Sequence, residues 1–276
     1  MRREGYRIGI LLLMSILLFS CSEGAMPEKG VTFKRIEDVP KSRWEALAKK
    51  QILFGHQSVG FNILDGIRDV MREHPFIKLN IVETEDPKDF NAPVFAHFRV
   101  GRNTDPRSKC DSFAEVMEKV GEKVDIAFFK FCYVDVGAKT DIDEVFSYYT
   151  KTMDSLKKKY PKVTFVHFTV PLTVSRTTIK TRIKLLIGWK EIWEYDDNIR
   201  RNQFNELLRN EYGGKEPLFD LASIESTFPD GRRSFFKKGG KVYYSLVPDY
   251  TLDGGHLNEL GRKIVAEQLL IFLANL

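Results

Sequence analysis

Cysteine is scarce in this chain: 276 residues carry three, Cys21, Cys110 and Cys132. Two thiols beyond Cys21 make no disulfide framework, and Cys132, at the end of an apolar strand pattern, reads as a buried free thiol. There is no CxxC, no HxxxH and no clustering of His with Cys at ligand spacing, which argues against a zinc site. Charge of one sign is also lacking. The formal balance is +5, from 43 Lys and Arg against 38 Asp and Glu, too mild an excess to suggest a nucleic-acid partner. Internal repeats and low-complexity tracts are absent. With 43% apolar and 29% charged residues, the remaining expectation is an ordinary globular α/β domain with a full core.

The first apolar stretch, Ile8–Phe19, follows Arg2, Arg3 and Arg7 and is too short for a comfortable membrane span. That layout predicts a secretory signal over residues 1–20. Leu18-Phe19-Ser20-Cys21 resembles a bacterial lipobox, which implies acylation of Cys21, a polar tether over 21–40, and a folded domain over 41–276. The protein is then expected in the cell envelope, lipid-anchored on the periplasmic or extracytoplasmic face of a bacterial membrane. A cleaved signal with a coincidental cysteine, or a weak anchor, is the alternative.

From residue 51 onward the pattern alternates. Strands are predicted at 51–55, 77–83, 124–131, 162–171 and 217–223, and helices at 58–74, 112–121, 141–160, 192–212 and from 256 to the end. Ser112 with Glu115 has the form of a capping box, and Asn258 is placed to cap the last helix. Residues 84–110, 172–190 and 224–250 read as irregular. Strand and helix repeating about five times predicts a three-layer α/β/α sandwich around a mostly parallel five-stranded sheet. The site of such a sheet lies beyond the carboxyl ends of its strands.

Two short stretches carry candidate chemistry there. In "ILFGHQSVGFNILDGI" (52–67), Ser58 stands where a strand hands over to a helix; it is either a helix cap or a nucleophile. In "YTLDGGHLNELG", Asp253 precedes His256 by three residues. One loop can thus present a carboxylate to His Nδ1 and leave Nε2 free to take a serine proton. Among the other histidines, His74 at a helix end is expected to be exposed, His97 falls in the irregular loop, and His167 inside a strand reads as a core residue. His56, Gln57, Tyr133 and Asp135 are pocket candidates. Lys130, Arg102 and Lys109 near strand ends could meet a polar or acidic substrate.

Asp253-Gly-Gly-His256-Leu-Asn ahead of a terminal helix, with Ser58 after the first strand, resembles the SGNH/GDSL hydrolases over roughly residues 50–276. The resemblance implies a serine esterase without cofactor, in which Ser58 attacks, His256 is the base and Asp253 orients it. It also implies an oxyanion site from the Ser58 and Gly101 N–H groups, with Asn103 close by. Two departures stand out. The family's aspartate before the serine is Gln57, and its Gly-x-Asn-Asp block reads "FFKFCYVDVG", without asparagine; either Asn103, Tyr133 or a backbone group serves instead, or the oxyanion hole is defective. The expected substrates are O-acyl, for example O-acetyl, groups of an envelope glycan. The alternatives are a lipase or thioesterase with an acyl groove near 176–193, and a non-catalytic glycan-binding or scaffold protein. The basic stretch 176–190, with Trp189 and Trp193, could be a lid, a glycan-stacking surface or a membrane-facing patch.

Overall fold

The computed structural model describes residues 26–175 and 193–276. The expected signal, Cys21 and the basic stretch 176–190 lie outside the described residues, as does the side chain of Trp193.

The central strand, β1 (Gln51–His56), is "QILFGH", apolar on both faces because both are covered. Alternation along it divides the core. Ile52 and Phe54 point into one helical layer and Leu53 into the other. β2 (Ile81–Glu83), β3 (Val94–Arg99), β4 (Ile126–Phe129), β5 (Thr164–Phe168) and β6 (Leu218–Phe219) complete a parallel sheet in the order β2-β3-β1-β4-β5-β6. The expected α/β/α sandwich is present, with six strands in place of five. The extra strand, β3, lies inside the stretch 84–110 expected to be irregular. Pro87, Pro93, Gly101 and Pro106 dominate that stretch, yet Pro93 falls just before the strand, where a missing N–H costs no ladder bond.

The helices are α1 (Lys41–Leu47), α2 (Val59–Glu73), α3 (Pro106–Val120), α4 (Ile142–Lys159), α5 (Trp193–Tyr212), α6 (Leu221–Glu225) and α7 (Glu259–Ala274). α3 begins six residues before the expected start. Asp105 caps it by accepting the Ser108 N–H at 3.1 Å, with Pro106 at the first turn, so Ser112–Glu115 is helix interior and no capping box. Asn258 does cap α7, accepting the Gly261 N–H at 3.0 Å. The stretch 224–250 contains the antiparallel hairpin of β7 (Phe235–Lys238) and β8 (Lys241–Tyr244). Cys110 and Cys132 are separate buried thiols.

α2 and α7 pack side by side in one layer, unusually close. A Cβ at Gly66 would lie 2.3 Å from the Arg262 carbonyl oxygen. Arg262 Nε also donates to Asp69 Oδ2 at 2.7 Å. This contact matters for the site, because α2 starts directly after Ser58 and α7 directly after the Asp253–His256 loop.

Candidate active site

The turn between β1 and α2 is too sharp for an ordinary helix start. Ser58 sits at φ 53° and ψ −117° and makes no capping bond with its side chain. Holding a non-glycine residue there costs about 1–3 kcal/mol, so the plain helix-cap alternative fails. Glycine at 60 makes the turn possible, since a Cβ there would lie 2.4 Å from that of His56. The strain lifts Ser58 Oγ out of the helix line and toward the last loop.

There His256 Nε2 stands 2.7 Å from Ser58 Oγ, and His256 Nδ1 stands 2.6 Å from Asp253 Oδ2. The other carboxylate oxygen, Oδ1, accepts the N–H groups of Gly255 at 2.9 Å and His256 at 2.8 Å, and the Thr251 hydroxyl at 3.2 Å. Partial burial pushes the Asp253 carboxyl up, but the bonds from Gly255, from the His256 ring and from the His256 N–H outweigh it and hold it well below the usual range. An ionised carboxylate only accepts, so Nδ1 carries the proton and Nε2 accepts from the serine hydroxyl. Leu257 N donates to Asn62 Oδ1 at 3.2 Å, a second tie between the loop and α2.

Around this line the expected residues divide. Tyr133 faces it: its ring meets the His256 ring edge-on at 5.6 Å. Burial and the Asp253 charge push its hydroxyl up, against a hydrogen bond with Ser58, so it stays a neutral donor. Gly101 turns the chain after β3 at φ 51°, and among the described residues no acceptor meets its N–H or that of Ser58. Gln57 is no pocket residue; its Nε2 clamps the carbonyls of Val100 at 2.9 Å and Gly101 at 2.5 Å. Asn103 Oδ1 accepts Lys109 Nζ at 3.0 Å. His56 is fully buried, 3.2 Å from His97 Nδ1, and burial, then the Lys130 charge, push its pKa down to about 2. It packs under the turn rather than lining a pocket. His97 is buried on β3, His167 is in the core stacked 3.5 Å from Tyr212, and His74 is half-buried against Phe76 rather than exposed.

The charged candidates change role. Lys109 and Asp135 are a fully buried pair, Nζ to Oδ2 2.5 Å, and Asp135 also accepts the N–H of Cys132 and of Thr104. They staple the loop after β3 to the loop after β4 and leave no charge for a substrate. Lys130 is buried, and Arg102 is exposed and paired with Asp105 at 2.7 Å.

No protein-family model and no curated protein matches the chain. Among solved structures the chain is similar, at low identity, to the following three. One is the periplasmic domain of a lipopolysaccharide acetyltransferase from Salmonella ser. Paratyphi A, 10% identical, covering 80% of this chain and 82% of that one, TM-score 0.44. Another is an acetylxylan esterase from Geobacillus stearothermophilus, 13% identical, covering 81% and 94%, TM-score 0.40. A third is a protein of the G-D-S-L family from Desulfitobacterium hafniense, 9% identical, covering 81% and 99%, TM-score 0.42.

Beside Asp253 opens a cavity of about 810 Å³ that takes in two of the expected pocket residues, Tyr133 and Asp135. Its wall includes Tyr133, Thr140, Thr173, Asp197 and Arg201. Arg201 is spent on the fold: Nε donates to the carbonyls of Tyr133 and Val136, and Nη1 to Thr173 and Asn198. These residues come from α4's preceding loop, the chain after β5 and α5, far apart in sequence, so only the closed sheet collects them. Among the described residues, no group of three or more His, Cys, Asp or Glu is placed to hold a metal, and no helix is long and apolar enough to cross a membrane.

Proposed function

We propose that the protein is a serine esterase of the SGNH type, exported and lipid-anchored at Cys21, acting on O-acyl groups such as the O-acetyl esters of an envelope glycan. The observation that carries this reading is the line Asp253–His256–Ser58, with steps of 2.6 and 2.7 Å ending on a serine in a strained turn. A serine kept at φ 53° costs stability and offers a binding scaffold nothing in return.

In the proposed reaction, Ser58 Oγ attacks the ester carbonyl as its proton passes to His256 Nε2. Asp253 steadies the imidazolium through Nδ1–H. The tetrahedral oxyanion is held by the N–H groups of Ser58 and Gly101, with the Tyr133 hydroxyl in the role of the missing asparagine. His256 then protonates the leaving alkoxide, and a water activated at Nε2 releases the acid and restores Ser58. One such donor is worth about 10²–10³ in turnover. In the wall beside the relay Thr140, Thr173 and Asp197 stand among Val134, Ala138 and Val174, a mixed lining that can take a hydroxyl-bearing sugar.

The test is labelling of residues 22–276 with a fluorophosphonate, compared with Ser58→Ala and His256→Ala, the adduct located by mass spectrometry. Labelling at Ser58 that both variants lose is expected, as is turnover of acetyl esters above that of long-chain esters. A folded protein that neither labels nor cleaves small acetyl esters overturns the reading.

A further inference from the structure

One buried cation lies directly under the serine turn and has no place in the relay. Lys130 follows β4 and is 1% exposed. Its Nζ donates to the Gln57 carbonyl oxygen at 2.9 Å and the Phe131 carbonyl at 3.4 Å, with Cys132 Sγ at 3.7 Å. Among the described residues no carboxylate forms an ion pair with it, unlike Lys109 with Asp135. Burying an ammonium on carbonyl and thiol partners costs several kcal/mol relative to water, and that burial pushes the Lys130 pKa down from the usual lysine range.

The acceptor chosen is informative. The Gln57 oxygen receives three donors: Lys130 Nζ, the Gly60 N–H at 3.0 Å and the Cys132 thiol at 3.5 Å. Gln57 precedes the serine, and its peptide to Ser58 is trans, as all those described are. In a planar trans peptide the C=O and N–H point to opposite sides. A carbonyl fastened inward toward Lys130 therefore sends the Ser58 N–H outward, where no protein acceptor meets it among the described residues. A cation on the oxygen also draws electron density out of the amide, which strengthens the N–H as a donor.

We propose that Lys130 is a positioning residue that aims and polarises the Ser58 N–H toward the oxyanion, working through the Gln57–Ser58 peptide. This rests on the esterase reading. It accounts for how a site without the block asparagine still holds a tetrahedral oxyanion: part of the stabilisation is delivered from behind the peptide plane.

The experiment compares wild type with Lys130→Met, which keeps the length of the stem and loses the charge, and Lys130→Gln, which keeps a neutral donor. Turnover of p-nitrophenyl acetate, inhibition by a small boronic acid that forms a tetrahedral adduct on Ser58, and melting temperature are read for each. The expected result is a kcat loss of about 10- to 100-fold for Met and less for Gln, with KM within about twofold. Boronate affinity should fall in step with kcat/KM while the melting temperature holds or rises. A cooperatively folded variant with kcat/KM within about twofold of wild type overturns the inference. So does a loss of kcat that boronate affinity does not follow, because that is the mark of a merely structural role. Should the Met variant not fold, the Gln variant decides by the same criteria. A wild type that neither labels nor turns over removes the esterase reading and this inference together; an active wild type with unaffected Lys130 variants removes this inference alone.

Discussion

Two acid–base pairs stand at the same end of the sheet and behave in opposite ways. Asp253 and His256 come from one loop, three residues apart, with side chains 57% and 43% exposed. Lys109, in the first turn of α3, and Asp135, in the turn after β4, are 26 residues apart, with side chains fully buried. The exposed pair can change its charge state because water and the backbone N–H groups around Asp253 absorb the change. The buried pair cannot; each charge is there only because the other is. The proposed chemistry therefore falls to the first, and the second holds the walls in place.

The largest effect should separate the two pairs by activity. Ser58→Ala or His256→Ala should lower acetyl-ester turnover about 10⁴-fold or more while leaving the melting temperature within a few degrees, as read by steady-state kinetics and thermal unfolding. Asp253→Asn should follow the same pattern. Stability should sort them the other way. Lys109→Met leaves the Asp135 carboxylate alone in the interior and should cost about 3–5 kcal/mol in urea unfolding. If Lys109→Met folded with unchanged stability, the contrast between the pairs would collapse.

A third carboxylate sharpens the comparison through pH. Glu225 is fully buried, with Oε2 on the Leu172 N–H at 2.9 Å and Oε1 unpartnered. Burial pushes it up to about 8, against the Leu172 N–H and the Lys130 and Arg201 charges. The folded state thus keeps a proton that the unfolded chain gives up near pH 4.5. Stability from this group is whole below that pH and declines as pH rises toward 8, by something on the order of 5 kcal/mol. Asp253 runs the other way: its depressed pKa supports stability at neutral pH and loses that support only in strong acid. From pH 4.5 to 8 the unfolding free energy of Glu225→Gln should gain on that of wild type, since buried His56 and His167 add stability with rising pH in both chains and only wild type carries the opposing Glu225; parallel profiles would clear Glu225 of the effect. The smallest expected change comes from Gly66→Ala. Prising α2 from α7 should cost about 1–3 kcal/mol and lower kcat as Ser58 and His256 part, with the loss visible in both unfolding and turnover.

The alternation of elements was legible because five of the six strands are short apolar runs between helices with a clear apolar face. β3 was not, since prolines and a glycine surround six residues whose burial depends on β1 and β2 flanking them. In the site, Ser58, Asp253 and His256 were legible from residue type and local order. Their 2.7 Å contact spans 198 residues and follows from how closely α2 and α7 pack. Lys109 and Lys130 misled because a charge near a strand end looks the same in sequence whether it meets water or a partner.

By itself, then, the sequence determined the layering, the chain order of serine before the Asp–His pair, and the cap at Asn258, all of them properties of residues close together along the chain. Only the tertiary structure decided which charges are buried, that a sixth strand exists, that Gln57 is a clamp, and that a cavity opens beside Asp253. Each of those depends on desolvation by residues distant in sequence, and desolvation is a property of the folded volume rather than of any local pattern.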